Sequence, residues 1–184
     1  WYKKGEGKDI YYQFWVMDSL VSEYADLHYP NGQLIEKISY KEGLKNGKFT
    51  GYYQNGAKKY LKRYEDDEPE GKWQYYTMAG KTNAEEIYEG GKRNEEWFRI
   101  EENGDTYYQY WDLDSLISEY ADLHYPNGQL IEKISYKKGL KDGKFTGYYE
   151  NGEVKYKKRY SEDLPDGKWD YYTASGKKNE EQIY

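Results

Sequence analysis

Two histidines, His28 and His124, are the only imidazoles in the chain, and they stand at equivalent points of a repeated pattern. If strands lie ~4.8 Å apart, with two strands to each repeating unit, the four units between them hold the pair roughly 38 Å apart. They therefore share neither a metal ion nor a catalytic site. A serine–histidine–acid triad needs an oriented carboxylate and a nucleophile motif beside one of them, and neither histidine has such a motif. There is no cysteine, hence no thiolate nucleophile, disulfide or cysteine-ligated zinc. The acidic tracts Glu65-Asp66-Asp67-Glu68 and Ser161-Glu162-Asp163 lack the alternating ligands and central glycine of a calcium loop, and they read as solvated turns. The glycines do not lead into a helix as a phosphate loop does. The sequence assigns no catalytic residue, metal ligand or cofactor and reads as non-enzymatic. Its remaining chemistry is aromatic, with 26 tyrosines and 6 tryptophans. The tyrosines cluster in adjacent pairs, Tyr52 and Tyr53, Tyr75 and Tyr76, Tyr148 and Tyr149, Tyr171 and Tyr172, so one of each pair faces away from its neighbour. With Trp73, Trp97 and Trp169 they form the candidate interaction surface, because amphipathic rings are favoured at interfaces.

These rings are placed by a repeat. Glycine recurs at 32, 56, 80, 104, 128, 152 and 176, a step of 24 residues. Eight residues after the glycine comes tyrosine (Tyr40, Tyr64, Tyr88, Tyr136, Tyr160, Tyr184). Seventeen after it comes a bulky aromatic (Phe49, Trp73, Trp97, Phe145, Trp169), with Trp1 on the same grid and small members at Ala25 and Ala121. A fixed period of this length is the signature of a repeat array. A longer period of 96 residues overlays 1–88 on 97–184, with about 60 of 88 positions identical. The expected organisation is one continuous array of two four-hairpin blocks, 1–88 and 97–184, joined by a connector at 89–96.

Composition limits the core. Leu, Ile, Val and Phe make up only about 15% of the chain, a level at which disorder is the default. The aromatics restore the missing apolar surface, at ~150–250 Å² each, so a folded chain with a thin aromatic core is expected. No apolar run approaches the ~18 residues of a membrane-spanning helix. The net charge of −6 argues against nucleic acid and against anionic lipid. The compartment is left open, with an extracytoplasmic one slightly favoured.

In Phe49-Thr-Gly-Tyr-Tyr-Gln-Asn-Gly56 and the run after it, two aromatic-rich segments flank Asn-Gly. That is the strongest short-range hairpin signal, because the two-residue turn needs positive φ. Residues 57–64 place Tyr60 and Tyr64 on one face and Lys59 and Arg63 on the other, a period of two. Polar connectors such as 65–72 and 41–48 follow. About sixteen residues of hairpin and eight of connector give eight hairpins and seven connectors. The odd segments are 16–24 and 112–120, where a continued strand or irregular connector is expected over a short helix capped by Asp18 or Ser19.

Tyr-Pro-Asn-Gly-Gln-Leu, followed by Tyr-Lys-Glu-Gly-Leu-Lys-Asn-Gly-Lys-Phe-Thr-Gly-Tyr-Tyr-Gln-Asn-Gly, resembles the MORN-repeat variant of many bacterial proteins, including YwqK-like antitoxins. The resemblance is strongest over 25–72 and 121–168, and Glu95 and Glu119 replace motif glycines. It implies an all-β, elongated, single-layer array of antiparallel hairpins used for protein–protein scaffolding or toxin neutralisation. A looser likeness, in Gly71-Lys-Trp-Gln-Tyr-Tyr76 and Gly167-Lys-Trp-Asp-Tyr-Tyr172, is to choline- and glucan-binding cell-wall repeats, which use aromatic cages. The function expected is a non-enzymatic scaffold with a protein partner, with end-to-end or edge-mediated self-assembly as a further mode. The alternative is a cell-wall carbohydrate- or choline-binding module.

Overall fold

The computed structural model describes residues 2–4 and 8–184; Trp1, the first member of the aromatic column, lies outside the described residues. All regular structure is antiparallel strand, and no helix occurs among the described residues. The chain divides into two compact units, Trp1–Asn94 and Glu95–Tyr184. In each, consecutive strands pair with their neighbours in chain order, giving one open sheet of hairpins. In the second unit the order runs Glu95–Ile100, Thr106–Asp112, Ser115–His124, Leu130–Lys137, Gly143–Tyr148, Val154–Ser161, Lys168–Tyr172, Lys178–Ile183.

The glycine grid marks hairpin tips, by a different turn from the one its Asn-Gly pairs suggest. Gly32 donates its N–H to the Tyr29 carbonyl at 2.8 Å, and Tyr29 donates to Gln33 at 2.8 Å. Only Gly32 has positive φ (88°); Pro30 and Asn31 do not. This is a type I turn followed by one left-handed residue, the three-residue hairpin loop. Asn31 is useful for its side chain, whose Oδ1 accepts the Gln33 N–H at 3.0 Å. Asn55, Asn103, Asn127 and Asn151 repeat the bond.

The expected eight-residue connectors are hairpins too. Strand Lys58–Glu65 turns through Asp66 and Asp67, both left-handed (φ 48° and 69°), and pairs back immediately, Glu65 opposite Glu68 and Tyr64 opposite Pro69. An irregularity at Glu70 and Gly71 then leads into Gly71–Tyr76. Successive positive φ at both central residues is the geometry whose twist suits adjoining strands. The same turn occurs at 42–43, 90–91, 138–139 and 162–163. At 17–18 and 113–114 it comes one residue early, so strands continue through the odd segments and the capped helix is absent. A bulge compensates: Phe14 faces Ser22 and Trp15 faces Leu20, skipping Val21, and Ile117 is skipped likewise. Glu119 consequently sits in regular pairing opposite Tyr136 and needs no glycine.

The core is one sheet face. Rings alternate across neighbouring strands as Tyr40, Phe49, Tyr64, Trp73 and Tyr88, with centroids 5.9, 4.9, 5.0 and 4.8 Å apart. The second unit repeats this as Tyr136, Phe145, Tyr160, Trp169 and Tyr184, at 6.0, 4.9, 5.0 and 4.6 Å. Tilted and edge-on pairs of this kind contribute about 0.5–1.5 kcal/mol each beyond area burial. Phe49, Trp73, Phe145 and Trp169 are buried, and Ala25 and Ala121 continue their column, while no charged or polar side chain is buried among the described residues. The core is as thin as composition predicts.

Candidate functional site

Register gathers the ring face into a groove. In the second unit Leu123 opposes Glu132, Ala121 opposes Ile134, Phe145 opposes Lys158, and Gly147 opposes Tyr156. Leu123, Ile134, Tyr136, Phe145, Tyr156 and Tyr160, with Glu132, Lys141 and Lys158, line an open cavity of about 390 Å³. Lys158 lies over three rings, 4.6 Å from the Tyr156 centroid, 4.8 Å from Trp169 and 5.3 Å from Tyr171. Its counterpart Lys62 lies 5.1 Å from Tyr60, 4.4 Å from Trp73 and 5.0 Å from Tyr75. Burial lowers the Lys62 ammonium pKa, while Glu86 and Glu36 oppose that loss of charge.

The phenols on this face are tied to those carboxylates. Tyr60 donates to Glu36 at 2.6 Å and Tyr156 to Glu132 at 2.7 Å. Tyr75 and Tyr88 both donate to Glu86, at 2.9 and 3.1 Å. Burial pushes all four phenols well above their ordinary value, and the carboxylates reinforce it. The result is a groove walled by rings and aliphatic side chains, with fixed charges and neutral hydroxyls in its lining.

The sequence-derived surface does not gather into one patch. Trp73 and Trp169 are buried, their Nε1 donating to the Arg63 and Arg159 carbonyls at 2.9 and 2.8 Å. Tyr75 and Tyr171 share the ring face, while Tyr52, Tyr76, Tyr148 and Tyr172 point the opposite way. Tyr53 and Tyr149 belong to tips and donate to the carbonyls of Tyr76 and Tyr172 in the next hairpin, at 2.7 and 2.8 Å. Trp97, half-buried, packs against Trp111 at 5.8 Å. The charged residues of the ring face that sequence reading passed over are Lys158 and Glu132 in the groove, and Lys62, Glu36 and Glu86 on the same face of the first unit. The signal was present: counting by two from Tyr60 to Tyr64 passes through Lys62.

The histidines brace hairpins. His28 and His124 donate backbone N–H to Asp9 and Asp105, at 2.7 and 2.6 Å, and their Nδ1 atoms lie 3.9 and 3.8 Å from the same carboxylates. The acidic turns are similarly engaged, with Asp67 and Asp163 accepting the Lys45 and Lys141 N–H at 2.7 Å. Among the described residues, no three acidic or histidine side chains gather as a metal site.

Residues 27–42, 123–138 and 141–162 match a family model described as the MORN repeat variant. These three segments of the chain are similar to MORN-variant repeats. The third match runs from strand residue Lys141, just past the 138–139 turn, through Phe145 and the Gly152 tip to the turn at 162–163. No curated protein sequence matches the chain. No helix among the described residues is long and apolar enough to cross a membrane. Each unit holds at least one matched segment, and the likeness suggests a repeat scaffold.

Proposed function

We propose that the chain is a non-enzymatic interaction scaffold that seats a partner protein along its ring-lined face. The observation that supports this most directly is the groove of about 390 Å³ walled by Leu123, Ile134, Tyr136, Phe145, Tyr156 and Tyr160. Aliphatic and aromatic walls with a few fixed polar groups suit an amphipathic polypeptide segment. An immunity-type partner of a toxin is one form of this reading, drawn from the YwqK-like resemblance. Edge pairing between arrays is a second mode of assembly.

The choline- or carbohydrate-binding alternative meets a specific obstacle. The faces of Trp73 and Trp169 that would cage a quaternary ammonium already hold the ammonium groups of Lys62 and Lys158. A charged groove variant, Ile134→Asp, decides between the readings. A protein partner identified by stoichiometric co-purification with the wild-type chain should be lost from this variant. Retention of the partner would sink the groove reading. Saturable tryptophan quenching by choline or glucans, abolished in Trp73→Ala and Trp169→Ala, would favour the alternative.

A further inference from the structure

On the face opposite the rings, register sets cation against cation. Lys48 stands directly across from Arg63 on neighbouring inner strands, and Lys144 stands across from Arg159 in the second unit. Like charges directly opposed destabilise a sheet. The chain's net charge is −6, so composition does not force the arrangement, yet it occurs twice. Lys37, opposite Thr50, and Lys41, four residues on along the same strand, share this face. So do Lys133 and Lys137 in the second unit. Some of these cations have partners. Lys37 pairs with Asp26 at 3.7 Å, Lys133 with Asp122 at 3.1 Å, and Arg159 with Asp166 at 2.9 Å. Lys41, Lys48, Arg63, Lys137 and Lys144 are exposed and form no ion pair among the described residues.

We propose that this face of each unit binds an acidic polypeptide segment, with Lys48 and Arg63, and Lys144 and Arg159, holding its carboxylates. The inference rests on the scaffold reading but uses the face that the groove leaves free. Strands ~4.8 Å apart bring two cationic heads within reach of one carboxylate or of two neighbours. The guanidinium adds a planar fork that matches carboxylate geometry. The cationic patch is short. Asp26, Glu65 and Glu85 interrupt this face in the first unit, which suits a few carboxylates better than the continuous phosphates of nucleic acid or the plane of an anionic bilayer.

The test uses the full chain and a K48Q/R63Q/K144Q/R159Q variant. Fluorescent peptides rich in Glu, matched peptides with Gln at the same positions, and phosphatidylserine-containing vesicles serve as probes. The Glu peptide should bind the wild-type chain, weaken with salt, and lose at least about tenfold in affinity in the variant. The variant should also melt no lower than wild type, because relief of the opposed like charges offsets loss of the exposed Arg159–Asp166 pair. Equal affinity for Glu and Gln peptides, unchanged binding in the variant, or stronger binding to vesicles than to peptide would each overturn the proposal. A lower melting temperature in the variant would assign the cations a structural role and overturn it as well. Co-purification of the groove partner is read separately in the same variant, so failure at this face is distinguishable from failure of the scaffold reading.

Discussion

Gly51 and Gly147 show how a thin core is sealed at single residues. Each sits opposite a tyrosine, Tyr60 or Tyr156, whose ring lies where a Cβ would be. Neither glycine has positive φ, so the requirement is space rather than backbone freedom. Gly51→Ala should therefore displace Tyr60 from Glu36 and destabilise by about 1–3 kcal/mol, the usual range for overpacking, read as a shifted urea midpoint. Glu95 presents the reverse case. It occupies the place of Gly71 and Gly167 (φ 65°) and keeps their left-handed backbone at φ 58°. Glu95→Gly should stabilise by about 0.5–1 kcal/mol by relieving a side chain from that region; an unchanged or lower melting temperature would contradict this. The sequence exposed the missing glycine. It did not reveal that the backbone would hold its shape without one, whereas at Glu119 the bulge moved elsewhere and the glycine became dispensable.

At the scale of the hairpin, stability comes from braces that run from one hairpin to the next. Tip tyrosines reach forward about one repeat: Tyr29 to the Tyr52 carbonyl, Tyr53 to Tyr76, Tyr125 to Tyr148, Tyr149 to Tyr172. On the other edge the tight turns are bonded across as well, Asp67 to Lys45 and Asp163 to Lys141. An isolated hairpin is marginal in water, so these bonds matter more than their number suggests. Tyr53→Phe and Tyr149→Phe each remove one hydroxyl without opening a cavity and should each cost about 0.5–1.5 kcal/mol. Lying in separate units, they should add, and thermal melts of the single and double variants check this. Hairpin tips were legible because glycine with Asn before it has a local reason to be there. The second set of turns was half legible. Asp66-Asp67 tolerates left-handed backbone, but Met17 and Leu113 carry no such preference, and there the pairing of the flanking strands decides the turn.

Across the whole molecule the largest consequence of a tyrosine-built core is its response to alkali. Burial and neighbouring carboxylates raise the pKa of Tyr60, Tyr75, Tyr88, Tyr120 and Tyr156 well above the free phenol value of 10.0. Between pH 10 and those raised values the unfolded chain has lost phenolic protons that the folded chain retains. The stabilising contribution is thus complete below pH 10 and disappears as pH climbs beyond it. Lys62 acts in the opposite sense. Its pKa is lowered from 10.5, so over the interval below 10.5 the unfolded state binds more protons and stability rises with pH. Tyr64, Tyr108 and Tyr171 are raised as well, so the single lowered ammonium is outweighed by the phenols. Melting temperature should therefore change little through neutral pH and fall steeply above pH 10, with part of the tyrosine ultraviolet ionisation signal emerging only as strand circular dichroism collapses. Replacing Tyr60 and Tyr156 by Phe should flatten that fall. If every tyrosine titrated as a single class near pH 10 while the strand signal persisted, the hydrogen-bonded phenols would not be holding the ring face together, and the groove would have to be stabilised by ring packing alone.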